Sequence, residues 1–395
     1  METRPADRLR PPAGSPARAG RVRVALDATP LLGTRTGVAT FCSGALGGLA
    51  ASGHLDVVAF AVSWRTRAGL AAQLPPGVAR LDRPLPARPL HRAWRAVEFP
   101  PIEWLAGAVD VVHGTNFVVP PARRAARVVT VHDLTAVRFP AMCEPASRAF
   151  PALVRRAVRR GAFVHTPSAW VAGEVVELLG VDPARVRAVH HGAPAVAATG
   201  EGPTRGAPLP AGTRRYVLAL GTVEPRKDLP GLVRAFDHLA PDRPDLALFL
   251  VGPDGWGSAA LEEALEASGH RDRIVRLGWV DAPARDRLLR QAAAFAYPSV
   301  YEGFGFPPLE AMAAGVPVVA TTAGALPEVL GDGARLVQVG DPAALATGLA
   351  QVLDDPAAAA DLVARGARRV ERYGWDRCAE GLAELYADAL ADRGR

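Results

Sequence analysis

Lysine is almost missing from this chain of 395 residues. Of its 46 basic residues one is lysine, Lys227, and all the others are arginine. Cysteine is nearly as scarce. Cys42, Cys143 and Cys378 lie far apart, at spacings that make neither a metal site nor a disulfide framework. They read as small buried side chains in a protein of the reducing cytosol. No apolar run approaches the roughly 20 residues needed to span a membrane. The first twenty residues hold charge, proline and glycine but no apolar stretch of signal-peptide type, and are expected to be a disordered tail. Aromatic residues make up only 6% of the chain and do not interleave with the arginines. That argues against a nucleic-acid partner in spite of a net charge of +6.

What is present is alternation. Apolar runs at 22–26, 55–62, 109–114, 126–134, 162–168 and 186–194 read as strands, separated by helical stretches such as 39–51 and SAWVAGEVVELLG. Several end in polar residues, as buried parallel strands do when their C-terminal ends face a crevice. Residues 195–213 are poor in large apolar groups and read as a linker. The pattern then restarts with a strand at 215–222, a strand and turn at 246–255, a strand at 273–280, then AFAYPS and VPVVATT. The expected organisation is a tail (1–20), a first Rossmann-like domain (21–194), the linker (195–213), a second such domain (214–372) and a final helical segment (373–395). This is an α/β fold class: two doubly wound parallel sheets facing a central cleft, where ligands of such proteins bind.

Two stretches near that cleft carry charge in a chemically suggestive pattern. In GTVEPRKDL, Arg226 and Lys227 follow the tip of a strand. A guanidinium fork and a compact ammonium together suit a diphosphate, and would stabilise the charge that grows on it as it leaves. In YEGFGFPPLEAMAAG (301–315), Gly303, Phe304 and Gly305 form a tight turn before a helix. Backbone N–H groups there make an anion site. Glu302 precedes the turn and Glu310 lies inside the helix. Carboxylates so placed can accept hydrogen bonds from a sugar on one side and a ribose on the other. His132 and Asp133 end a strand and are expected to point into the cleft, and His113 is a weaker candidate for its acceptor side. Gly33–Gly37 is a glycine loop, not a nicotinamide fingerprint. His190 and His191 are adjacent, not at metal-ligand spacing, and mark a strand end at the hinge. Arg155, Arg156, Arg159 and Arg160 share a helical face. The ordinary reading is a solvated face; the sharper one is contact with an anionic membrane surface.

GTVEPRKDL, the VGPDG turn, LGWV and YEGFGFPPLEAMAAGVPVVATTAGALPEV occur in this order, and together resemble the C-terminal domain of glycosyltransferase family 4, with the GT-B fold. The resemblance covers nearly all of 22–390 and is most specific over 216–330. It implies a retaining hexosyltransferase that uses a nucleotide-diphosphate sugar as co-substrate, with no cofactor and no bound catalytic metal. The EPRK run resembles the mannosyltransferase-like branch, which implies GDP-mannose. A carbohydrate or lipid-linked acceptor and a cytoplasmic location, peripheral at the inner membrane face if the acceptor is lipid-linked, are implied too. By resemblance Arg226 and Lys227 hold the donor diphosphate, Glu302 faces the sugar hydroxyls and Glu310 the ribose. Gly37 approaches the donor phosphates, His132 the transferred sugar, and Asp133 orients His132 or meets the acceptor. The final helix crosses back onto the first domain. Other GT-B reactions (nucleotide-sugar epimerisation, phosphorolysis) and non-catalytic nucleotide-sugar binding stay open.

Overall fold

The computed structural model describes residues 21–33, 36–63, 67–81, 87–193, 196 and 209–393. The expected tail and most of the expected linker lie outside the described residues. β1 (Val22–Asp27), β2 (Leu55–Phe60), β3 (Ala79–Arg80), β4 (Val111–Gly114), β5 (Ala126–Thr130), β6 (Phe163–Thr166) and β7 (Val186–Ala188) form a parallel sheet in the order β3-β2-β1-β4-β5-β6-β7. β8 (Arg215–Leu220), β9 (Leu246–Val251), β10 (Ile274–Gly278), β11 (Ala294–Tyr297), β12 (Val318–Thr321) and β13 (Ala334–Val337) form a second one, ordered β10-β9-β8-β11-β12-β13. All six residues of β9, LALFLV, are buried, because helices cover both faces of the sheet.

In each sheet the strand order turns around at its first strand. β1 has β2 on one side and β4 on the other; β8 has β9 and β11. Loops leaving the two central strands diverge to opposite faces and open a crevice at the strand ends. The loops after β1, β4, β5, β8 and β11 therefore border this crevice. They include residues 33, 36–37, 115–116, 131–134, 221–227 and 298–305.

The helix Trp375–Arg393 packs on the first sheet, although it follows the second in sequence. Its Cys378, Leu382, Leu385 and Tyr386 are buried in the same core as Leu46 and Phe163. The crossing is tied where the Ala193 N–H donates to the Tyr373 carbonyl at 2.7 Å. The Trp375 ring fills the space beside Gly44 and Gly192, where an added Cβ would lie 2.3 and 2.4 Å from it.

Three of the four arginines on and just after helix Phe150–Arg159 have partners within the protein. Arg155 donates to the carbonyls of Leu178 and Leu179, and Arg156 and Arg160 pair with Glu98. Among the described residues no helix is long and apolar enough to cross a membrane.

Candidate active site

A cavity of about 620 Å³ lies between the two sheets, lined from both sides. On the second-domain side, β8 ends at Leu220 and the chain turns through Pro225–Lys227. This turn buries Lys227. Its Nζ donates to the Tyr297 hydroxyl and to Glu302 Oε1, both at 2.6 Å. Arg226 Nη1 lies 2.9 Å from the same Glu302 oxygen, and Arg226 Nε donates to Glu224 at 2.8 Å. Burial by itself would raise the Glu302 carboxyl; the charges of Arg226 and Lys227 overcome this and hold it at about 2. Burial and the adjacent Arg226 charge push the Lys227 ammonium below its ordinary value, against the pull of Glu302. Two cations thus face two carboxylates. A diphosphate entering here meets cations already desolvated and held in place.

The turn carrying Glu302 is pressed against the first domain. A Cβ on Gly303 would lie 1.8 Å from the His132 carbonyl oxygen, so only glycine permits the approach. Ser168 Oγ donates to the Gly303 carbonyl at 2.9 Å. Gly305 then adopts φ 98°, a left-handed conformation, and helix Phe306–Ala313 begins. Pro307 and Pro308 lack N–H groups, so in the first turn of this helix the N–H groups left without an intrahelical partner are those of Phe306 and Leu309. Across the cavity, Gly37 starts the helix Gly37–Ser52. Its backbone faces the Phe306 ring, 3.3 Å from where a Cβ would lie.

His132 lines the cavity, its ring edge-on to Phe41. Its Nε2 lies 2.8 Å from the Thr115 carbonyl, which can only accept, so Nε2 carries the proton. Burial lowers the pKa of this ring. Asp133 Oδ1 accepts from the Thr135 N–H at 3.0 Å and the Thr135 hydroxyl at 2.8 Å; it shapes the turn after β5 and also lines the cavity. His113 corrects the sequence reading. It is fully buried, with Nδ1 2.7 Å from the Tyr386 hydroxyl and Nε2 2.8 Å from Thr130 Oγ1. It ties the crossing helix to β4 and does not line the acceptor side, because its side chain points into the face of the sheet that this helix covers. His191 lies against the cavity, stacked between Phe41 at 4.3 Å and Phe306 at 5.4 Å.

Glu310 is at the far end, buried, with Oε1 3.4 Å from Arg285 Nη1. Burial holds its carboxyl above the ordinary value, Arg285 offsetting part of that rise and Asp286 adding to it. The structure therefore brings Arg226, Lys227 and Glu302 into direct contact. It places Gly37, His132, Asp133, Gly303, Phe304, Gly305 and Glu310 on the same cavity and leaves His113 out. Sequence reading did not find that Tyr297, Arg285 and Trp279 line the cavity. Tyr297 is the last residue of β11, the neighbour of β8, so the turnaround of strand order was the signal for it.

The family models "Glycosyl transferases group 1" and "Glycosyl transferase 4-like domain" match residues 204–369 and 36–192. A D-inositol 3-phosphate glycosyltransferase of Streptomyces scabiei is 33% identical over 321 residues, 74% of this chain and 68% of that protein. The chain belongs to glycosyltransferase family 4. The O-antigen chain mannosyltransferase B of Escherichia coli is 36% identical over 172 residues, which are 43% of this chain and only 45% of that protein. Among solved structures, sucrose-phosphate synthase of Thermosynechococcus elongatus superposes with TM-score 0.70 at 20% identity, covering 94% of this chain and 100% of that one. HepE of Anabaena, solved with UDP and glucose, gives 0.70 at 16%, covering 93% and 100%. These likenesses establish the GT-B fold for this family 4 member.

Proposed function

We propose that this family 4 protein is a retaining hexosyltransferase. It moves a hexose, with mannose from GDP-mannose as the first candidate, from a nucleotide-diphosphate sugar to a hydroxyl of a glycan or lipid-linked acceptor. The observation that carries this reading is the Arg226–Lys227–Glu302 contact at the strand tip, buried and facing the cavity. In the free protein the two cations are neutralised by Glu302 and Glu224. A bound donor exchanges these partners: its diphosphate takes the cations, and its sugar hydroxyls donate to the freed Glu302 carboxylate. The bond from sugar C1 to the phosphate oxygen breaks, its electron pair leaving with the phosphate. The acceptor oxygen bonds to C1 from the same face, and its proton passes to the departing phosphate. Arg226 and Lys227 stabilise the charge that this phosphate gathers. His132 Nε2 donates to the Thr115 carbonyl, and this fixes the ring beside the sugar. Glu310, beside Arg285, accepts from the ribose. The two fixed side-chain cations supply the charge stabilisation, so EDTA is expected to leave turnover within about twofold of its value.

The mannosyltransferase relative supports mannose, and HepE shows that the fold accommodates a uridine diphosphate in another member. Thermal shift against GDP-, UDP- and dTDP-sugars tests the donor, and proton NMR of the product tests retention. Stabilisation by none of these nucleotides, or rapid donor conversion that needs no acceptor and gives an epimer, would overturn the reading.

A further inference from the structure

Glu302 belongs to the second domain, yet the residues on either side of it are held by the first. After it, Gly303 lies on the His132 carbonyl and accepts from Ser168. Before it, Tyr301 is 4% exposed, its ring packed against Phe139 at 5.6 Å. The Tyr301 hydroxyl donates to Glu174 and accepts from the Leu134 N–H at 2.9 Å. Glu174 comes from the helix Ala169–Leu179 and is buried, with Arg138 Nε 3.0 Å from its other oxygen. Leu134 directly follows His132 and Asp133. One phenol oxygen therefore joins three groups. It is one residue from the carboxylate that binds Lys227, and it holds the residue next to the pair at the end of β5. It also meets an ion pair that belongs wholly to the first domain, made of the buried Glu174 and the exposed Arg138. Nothing in the proposed chemistry uses this hydroxyl, and a Phe would fill the same volume. Buried hydroxyls with both hydrogen-bonding roles filled fix geometry more than they add stability.

We propose that Tyr301 is a positioning residue that locks Glu302 to the His132–Asp133 strand end, so that groups from the two domains keep one separation while the sugar transfers. The proposal rests on the transferase reading of the cleft, which requires His132 and Glu302 to act on one sugar. The lock is a triad, Tyr301–Glu174–Arg138, in which Arg138 anchors Glu174 and Glu174 orients the phenol.

The test uses the full chain and the variant Tyr301→Phe, which keeps the ring. Cleavage of GDP-mannose and of UDP-glucose is followed with water as acceptor, because the sugar–phosphate bond must break whatever the acceptor is. The expected result is a kcat lower by about tenfold with KM for the donor and Kd for GDP or UDP within about twofold, since the nucleotide is held by the second domain. Glu174→Leu is expected to give the same loss, and the double variant no more than either single one. Glu174→Gln keeps an oxygen for the phenol and is expected to retain about half the activity or more. Unchanged kcat in Tyr301→Phe, a rise in KM in its place, or losses that multiply in the double variant would overturn the proposal. If the wild-type chain cleaves neither sugar nucleotide with water as acceptor, hydrogen exchange decides the lock, and the transferase reading is judged separately by the thermal-shift test of donors. Without ligand, the Leu134 amide should exchange about tenfold faster in Tyr301→Phe while amides of β8 are unchanged. Equal exchange at Leu134 in the two proteins would refute it.

Discussion

A single lysine among so many arginines has a steric explanation. The Lys227 ammonium sits between the Tyr297 hydroxyl and Glu302, 2.6 Å from each, with its stem along Gly221. This buried slot accepts a point charge on a thin stem, and a planar guanidinium with five donors does not fit it. Arg226 beside it has the more open position and two carboxylates to bind. We expect Lys227→Ala to lower kcat/KM by roughly 10²–10³, the loss found when one preorganised charge-stabilising donor is removed. Lys227→Arg is expected to recover less than about a tenth of the wild-type rate. Steady-state kinetics on the donor identified by thermal shift checks both, and full activity in Lys227→Arg would show that the slot selects charge alone. Much of this was legible: one lysine, next to an arginine, after a strand ending in Gly-Thr. Glu224 was not read as a partner, because an exposed turn and a buried one have the same composition. Tyr297 was missed because its hydroxyl matters only once β11 is known to lie beside β8.

At the scale of elements, the turn 301–305 does two jobs with one set of glycines. Gly305 needs its positive φ to start the helix, whereas Gly303 is there for the backbone of the other domain. Gly303→Ala is therefore expected to act on the interface and not on the helix. We predict a loss of about 1–3 kcal/mol in urea denaturation, from forcing atoms into filled space, with the helix content of the circular dichroism spectrum unchanged. Unaltered stability would mean that the domains separate at no cost. The alternation of strands and helices was readable because buried parallel strands are apolar throughout and helices begin at clear caps. The 334–370 region was passed over although its signals are ordinary. Asp341 and Asp355 each precede a proline and accept from backbone N–H groups at the start of helices Pro342–Asp354 and Pro356–Val370. The short β3 left no such trace, for two exposed edge residues have no periodicity. The close fit of Gly303 to His132 joins residues far apart in the chain, and no local pattern encodes it.

The molecule as a whole holds four imidazoles around one ring, Phe41: His113, His132, His165 and His191. All are kept neutral chiefly by burial, His165 down to about 3. In the unfolded chain each returns to about 6.5. Between those values the unfolded state binds more protons than the folded one, so stability rises with pH and is lost on acidification. Each such histidine adds a slope of up to about 1.4 kcal/mol per pH unit below 6. Glu302 acts in the same direction lower down, because its stabilising charge is present above about 4.5 and vanishes toward 2. Urea titrations at pH 7, 6, 5 and 4 should show falling midpoints, with a shallower fall in His165→Asn. A pH-independent midpoint over that range would contradict the buried, uncharged cluster.

The helix Trp375–Arg393, 19 residues long, has a practical corollary. Because the first sheet borrows its last layer from the far end of the polypeptide, the second sheet is in effect an insert within the first. Severing the gene near codon 209 would not yield two independent halves: the leading fragment would expose the apolar bed of Leu46 and Phe163, and the trailing one would carry an orphaned amphipathic rod. Co-expression of both fragments is the arrangement in which that rod can find its seat.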